Sequence, residues 1–357
     1  PIEVIVKNTE ACPRYSGVTI KNVSIQESPR WLKNKLRAIG LSPINNVVDI
    51  TNFVLQEFGQ PLHAFDADKI TGNKVIVDTL LAGSKFITLD EAERELLDTD
   101  LMICNAEEGM CIAGVFGGIK SGVTEHTKNI FLESAYFSPD YIRRTAHYHE
   151  LKTDASFRFE RGTDPEITVY ALKRAVMLIK ELAGGTISSE VVDVYPKKLQ
   201  PFKVKVSYAH VDRLIGKHIP ADEIKRILNL LDIDVKDETE KGFIAIVPQY
   251  RVDVYREADV IEEILRIYGY DNIEIPKNIS SGYLAEFPLK DRDKVQSKIS
   301  DLLSSVGFTE IMTNSFTTQK YSSAVPASSQ ADDVEILNRL SEDLGVLRQT
   351  LLFTGLE

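Results

Sequence analysis

Hydrophobic and polar positions along the chain change period several times, and the changes divide it into segments. Residues 2–6 alternate, which predicts a strand. Ser28 and Pro29 then open a predicted helix, because serine is a good N-cap and proline suits the first turn. Trp31, Leu32, Leu36 and Ile39 follow at helical spacing, and Gly40 is the expected C-cap. From residue 74 to 137, short apolar runs are separated by Gly and Asp turns. Strands are predicted at 75–77, 86–88, 101–103, 112–116 and 130–137. A helix is expected over 165–182, capped by Asp164 and stopped by Gly184 and Gly185.

A second segment follows the linker-like Lys197-Lys198-Leu199-Gln200-Pro201. It predicts strands at 204–207 and 243–247 and helices at 221–231 and 258–268, the last closed by Gly269. A third segment predicts a polar-faced helix over 289–306, ended by Gly307, then a strand at 308–316 and a loop over 321–333. The expected domains are therefore 1–198, 199–276 and 277–357, an α+β multidomain chain without internal repeats. The apolar stretches at both ends suggest a piece of a longer protein.

Composition adds bounds. With 357 residues and 43% hydrophobic content, the chain can fill two or three cores. No apolar run is long enough to cross a bilayer, and the first residues do not form a secretory leader. Three cysteines without a CxxC pair argue against a disulfide framework or zinc site and fit a reducing cytoplasm. A net charge of −11 argues against a protein that coats nucleic acid. It leaves room for one local basic patch, and Arg143, Arg144, Lys152, Arg158 and Arg161 lie close together in sequence.

Two groups of residues carry candidate chemistry. In Ile130-Phe-Leu-Glu-Ser-Ala-Tyr-Phe137, Glu133 shares a strand face with Phe131, Ala135 and Phe137. A carboxylate on an apolar face is costly unless it is paired. It is either a rim residue of an edge strand or an acceptor at the bottom of a pocket. His63 follows the turn former Gly59-Gln60-Pro61 and is either a structural histidine or a functional one. The glycines of Cys111-Ile-Ala-Gly-Val-Phe-Gly-Gly118 mark a bulge, a tight turn or close approach of a ligand. The second group, Asp259, Glu262 and Glu263, lies on the polar face of the 258–268 helix with Arg266, and Asp253 just precedes it. It is either a solvated face complementing the helix dipole or a hard-cation site.

The run SPINNVVDITNFVLQEFGQPLHAFD (residues 42–66), followed by CIAGVFGG, IFLESAYF and TDASFRFERG (153–162), resembles the B3/B4 domain of the phenylalanine–tRNA ligase beta subunit. The resemblance implies an editing site that hydrolyses tyrosine wrongly esterified to phenylalanine tRNA. It carries the pocket roles onto Thr51, Asn52, His63, Ala113, Gly114, Glu133 and Ala155. Thr51, Asn52, His63 and Glu133 take the catalytic part, and Ala113, Gly114, Glu133 and Ala155 hold the substrate without a cofactor. The run at 250–273 resembles that subunit's small α+β B5 domain, and implies magnesium shared with the alpha subunit at Asp253, Asp259, Glu262 and Glu263. GFTEIMTNSF and LNRLSEDLGVLRQTLL resemble the start of its class II synthetase-like domain, with Asn338-Arg339 where the family usually has Asn-Pro. The implied partners are the alpha subunit, in an α2β2 assembly, and tRNA(Phe), with no membrane. A non-catalytic tRNA-binding and subunit-interface scaffold is the alternative.

Overall fold

The computed structural model describes residues 2–275, 291–324 and 330–357. They fall into two compact units, Pro1–Glu274 and Ile275–Glu357.

The first unit opens with two five-stranded sheets. One has the order β1 (Glu3–Val6), β4 (Lys74–Thr79), β7 (Leu101–Cys104), β8 (Gly109–Ile112), β9 (Phe116–Gly117). Only its β1–β4 pair is parallel. The other has the order β11 (Gly184–Ile187), β2 (Arg14–Val23), β10 (Asn129–Tyr136), β3 (Leu62–Asp66), and β12 (Val192–Val194) also pairs with β2. A small hairpin joins β5 (Lys85–Ile87) to β6 (Glu93–Glu95).

Strand alternation decides what lies on each side of the second sheet. Phe65, Phe131 and Ala135 face a core shared with Val75, Val77, Leu101, Ile103 and Ile112 of the first sheet. Ile20, Ala64, Ile130 and Leu132 face a separate core closed by α1 (Arg30–Ala38), α2 (Asn46–Phe58) and α5 (Thr168–Leu182). The resulting stack is sheet, apolar layer, sheet, apolar layer, helices. Two further helices, α3 (Pro139–Tyr148) and α4 (Asp154–Phe159), pack against each other beside the inter-sheet layer.

The run at 42–66 is mostly scaffold. Asn45 caps α2 by accepting from the amides of Val47 and Val48. The Asn46 amide group donates to Ser24 O and Leu182 O, tying α2 to the end of α5. Buried Asp49 accepts from Ser28 Oγ at 2.6 Å and from the Ile44 amide at 2.8 Å. Gly59 ends α2 with φ of +70°, a left-handed cap that favours glycine.

Several boundaries differ from the sequence expectation. Ser28 does not cap α1; its hydroxyl is taken by Asp49, and Pro29 holds the cap position. The 112–116 stretch is not one strand but a turn between β8 and β9, with Gly114 at φ +66°. α5 starts at Thr168 because Asp164 closes a local turn onto the Glu166 amide instead of capping a helix.

Residues 202–268 have their own core. β13 (Phe202–Ser207), β15 (Gly242–Val247) and β14 (Asp234–Thr239) form an antiparallel sheet. α6 (Tyr208–Ile215), α7 (Ala221–Leu230) and α8 (Glu257–Tyr268) cover it, with Ile224, Ile227, Val260 and Ile264 buried.

In the second unit, α9 (Arg292–Ser305) buries none of its side chains, and the part of that helix expected before residue 291 lies outside the described residues. Residues 308–315 form no strand; only Phe316–Thr317 (β16) pairs, with Val346–Leu347 (β17). Arg348 holds this region by donating to Thr313 O and Asn314 O, and α10 (Leu352–Leu356) ends the chain. The 321–333 loop contains described turns on both sides of residues 325–329, which lie outside the described residues.

Gly17 sits beneath the ring of buried Phe131, and a Cβ there would lie 2.3 Å from Phe131 Cζ. Gly17→Ala is expected to destabilise the first unit by about 1–3 kcal/mol, the usual cost of overpacking. Urea denaturation should show a lower midpoint; an unchanged midpoint would mean that the Phe131 ring is not held over Gly17.

Candidate functional site

The site is built where β10 runs between β2 and β3. The register sets Glu133 opposite His63 on β3 and opposite Gly17 on β2. Gln60 fixes that register at one end, donating through Nε2 to Ala135 O at 2.8 Å. Glu133 therefore points into the inter-sheet layer, where it is only 5% exposed. The Tyr15 hydroxyl donates to Glu133 Oε2 at 2.7 Å. Among the described residues no hydrogen bond occupies Oε1. Burial pushes the Glu133 carboxyl up to about 8, with the Tyr15 bond opposing the shift. Burial also pushes the Tyr15 phenol well up, helped by Glu133, so Tyr15 stays a donor.

His63 packs edge-on against Phe65, with ring centroids 4.4 Å apart. Its Nε2 is buried without a hydrogen-bond partner. Burial pulls the imidazole down to about 4, so it is neutral at pH 7. A neutral histidine and a protonated carboxyl thus face one space.

That space is a pocket of about 70 Å3, with His63, Gly114, Phe116, Gly117, Glu133 and Ala155 among its walls. Gly114 stands at the β8–β9 turn, where a Cβ would meet Phe137 and Phe159 at 2.9 Å. Ala155 is presented by α4. Thr153 and Ser156 form a capping box there, and the Thr153 hydroxyl also donates to Val115 O at 2.9 Å. One hydroxyl thereby locks α4 to the glycine turn.

Of the residues singled out from sequence, the pocket gathers His63, Gly114, Glu133 and Ala155. Ala113 is buried in the inter-sheet core next to Gly114. Thr51 and Asn52 lie on α2 and are not among the pocket walls; the Thr51 hydroxyl donates to Val48 O at 2.7 Å. Tyr15, Cys111 and Phe159 were not anticipated. The run Arg14-Tyr-Ser-Gly-Val-Thr-Ile would have exposed Tyr15 had its alternation been read as a strand flanking β10.

The acidic residues around α8 are spread differently from the sequence expectation. Asp259 is buried, not on the solvated face. It accepts from the amides of Tyr255 and Arg256 and pairs with the Arg256 guanidinium at 2.9 Å. Arg256 holds its carboxyl below the usual range. Glu263 is held down by Arg266 and Arg251, at 2.8 and 2.9 Å. Asp253 and Glu262 are exposed. A hard cation needs uncommitted carboxylate oxygens, so the four residues do not fit magnesium in this arrangement. Among the described residues no group of three or more His, Cys, Asp or Glu is placed to hold a metal ion.

Two larger concavities flank the pocket's elements. One, of about 440 Å3, has Lys69, Lys85, Lys120, Phe86 and Met110 in its walls. The other, an open cleft of about 920 Å3, runs between α3 and α4. No helix among the described residues is long and apolar enough to cross a membrane.

Comparison with known families matches residues 11–184 to the B3/4 domain, 204–270 to the tRNA synthetase B5 domain and 275–357 to the phenylalanyl tRNA synthetase beta chain CLM domain. A phenylalanine–tRNA ligase beta subunit of Bacteroides fragilis is 56% identical over 356 residues, covering 100% of this chain and 43% of that protein. The corresponding subunit of Porphyromonas gingivalis is 49% identical, covering 100% of this chain and 44% of its own length. That of Fusobacterium nucleatum is 40% identical, covering 99% and 44%. The chain spans less than half the length of these curated relatives.

The shifted groups predict a distinctive pH response. Glu133 holds its proton more tightly folded than unfolded, so its contribution is complete below about 4.5 and is lost as pH rises towards 8. His63 acts on the acid side, where stability is lost as pH falls from 6.5 towards 4. The clean window for Glu133 is therefore pH 6.5 to 8. There, wild type should lose stability relative to Glu133→Gln by about 1.4 kcal/mol per pH unit. Parallel denaturation curves for the two proteins across that window would refute a neutral buried carboxyl.

Proposed function

We propose that this chain, which belongs to the phenylalanine–tRNA ligase beta-subunit family, uses the Glu133 pocket to hydrolyse tyrosine wrongly esterified to phenylalanine tRNA. The observation that carries this is the placement of Glu133 and His63 as facing strand residues in one pocket.

Tyrosine differs from phenylalanine by one hydroxyl. A synthetic site shaped for an apolar ring rejects an added hydroxyl only moderately. Glu133 answers from the opposite direction. Tyr15 occupies Oε2, which leaves the other carboxyl oxygen for a phenol entering the pocket. Phenylalanine in the same place would leave a buried polar group unpaired, a loss of about 1–3 kcal/mol. Gly114 and Ala155 keep the ring slot free of side-chain bulk.

His63 supplies an uncommitted nitrogen, Nε2, that can orient a water towards the ester. The water oxygen bonds to the ester carbon, the bond from that carbon to the ribose oxygen breaks, and the proton that the water gives up passes to the ribose oxygen. Asn52 and Thr51, which the resemblance also assigns to the reaction, lie on α2 outside the pocket walls, and this scheme gives them no step. In the whole protein the chain works with an alpha subunit and tRNA(Phe), and joining phenylalanine to tRNA with ATP belongs to that assembly. Magnesium shared with the alpha subunit would require Arg251, Arg256 and Arg266 to release Glu263 and Asp259 first.

In a deacylation assay on the chain assembled with its alpha subunit, Glu133→Ala should hydrolyse Tyr-tRNA(Phe) about 10-fold more slowly or worse, the worth of one buried hydrogen bond. Equal rates for variant and wild type would remove Glu133 from the reaction. No hydrolysis by the wild type would favour the scaffold instead.

A further inference from the structure

We propose that the cleft between α3 and α4 is a single-stranded RNA track that leads a 3′ end to the Glu133 pocket. The proposal rests on the aminoacyl-ester reading of that pocket and adds where the nucleic acid lies.

Charge separates this cleft from the other concavity. Around the lysine-lined cavity, Lys85 pairs with Glu93 at 2.7 Å, Lys120 with Glu108 at 2.6 Å, and Lys69 lies 3.8 Å from Asp66. Its positive charge is spent inside the protein. The α3–α4 cleft has Arg143, Arg144, Lys152 and Arg161 in its walls. Arg161 is bonded to Glu160. Among the described residues, none of Arg143, Arg144 and Lys152 has a carboxylate partner. The Arg143 guanidinium donates to Glu160 O, and that of Arg144 lies 4.9 Å from the ring of Tyr141. The cleft's own carboxylates, Asp154 and Glu160, are paired with Arg158 and Arg161, so on a chain of net charge −11 the three cations without a carboxylate partner leave this cleft locally positive, a site for an anion.

The cleft also offers a stacking surface. Phe157 is 54% exposed, with the Arg161 guanidinium 3.7 Å from its ring centroid. An exposed ring beside cations is the combination that holds unpaired bases and their phosphates together.

Continuity supplies the direction. α4 is a shared wall: Phe157 and Asp154 face the cleft, while Ala155 and Phe159 face the pocket. Thr153, which borders the cleft, also bonds Val115 of the pocket. A strand lying along the cleft therefore needs to pass only this short helix to bring its terminal ester to Glu133.

The test is fluorescence anisotropy with a labelled single-stranded RNA of about eight nucleotides, titrated with salt. Wild type should bind with a log–log salt slope of about −2, from three cations at 0.7 each. Arg143→Ala with Lys152→Ala should reduce the slope to about −0.7. Phe157→Ala should weaken binding by about 5- to 150-fold, and Phe157→Trp should retain it. All of these are surface changes, and thermal melting should confirm folded variants. No RNA binding by wild type at about 50 mM salt, or wild-type affinity and slope in these variants, would overturn the proposal. Calorimetry of free tyrosine on the wild-type chain reports the pocket separately. Tyrosine binding without dependence of RNA on Phe157 sinks the track alone; the reverse sinks the pocket reading alone.

Discussion

Burying a carboxyl group between two sheets sets the terms for the first two hundred residues. A carboxylate cannot stay charged in an apolar layer without a partner, so folding there must supply a hydrogen bond or a proton. Here it supplies both. Tyr15 arrives from β2 to bond Oε2, and burial keeps the proton on at neutral pH. Both demands need β2, β10 and β3 side by side in one register, and that register also delivers His63. Ile130 and Leu132, on the opposite face of β10, pack against α1, α2 and α5. The helix layer therefore stabilises the sheet without touching the polar pair, and the site borrows rigidity from a core in which it takes no part.

Much of this was legible in the sequence because strand alternation is a strong signal when one face carries a charge. Glu133 among Phe131, Ala135 and Phe137 was such a case. The glycine-rich 111–118 run left a bulge, a tight turn and close approach of a ligand open, and its 112–116 stretch read as a strand rather than the turn that it forms, because a strand and a tight hairpin share apolar and glycine content. α2 was hidden for a different reason. Its caps, Asn45 and Gly59, bracket a run mixing Val, Ile, Thr and Asn, residues with no strong helix preference, and tertiary ties through Asn46 and Asp49 hold it. At 308–316, β-branched and aromatic residues suggested a strand, but without a long partner only two residues pair. Tyr15 lay too far along the chain for spacing to connect it with Glu133; only the sheet order brings them together.

The same acidic and basic residue types have opposite fates in different parts of the first unit. Around α8, arginines satisfy the two carboxylates that are least exposed, which stabilises the helix start and removes those oxygens from other duties. Lys85 meets Glu93 across the β5–β6 hairpin, and Lys120 after β9 meets Glu108 before β8. Sequence proximity would suggest the same neutralisation at 143–161, where Glu150, Asp154 and Glu160 are interleaved with the cations. There it is only partial: Arg158 meets Asp154 at 3.4 Å and Arg161 is bonded to Glu160. Arg143 and Arg144 on α3 share the cleft with Asp154 and Glu160 but form no ion pair with either among the described residues, Arg143 donating to the Glu160 main chain instead, and Lys152 in the loop before α4 is exposed.

Net charge is consequently a poor guide to what this molecule binds. A total of −11 coexists with arginine–carboxylate pairs around α8 and with a cleft in which Arg143, Arg144 and Lys152 have no carboxylate partner among the described residues. Opposed fields have a use when a polyanion must be held at one place only. A net negative charge discourages non-specific association with a polyanion, while the attraction of a local group of cations reaches about a Debye length, roughly 8 Å at physiological salt. Placing that cleft behind α4, the helix locked to the pocket by Thr153, makes the geometry of the cleft and that of the pocket depend on one short element. A shift of α4 would move Ala155 and Phe157 together, so the shape of the pocket and that of the cleft are mechanically coupled.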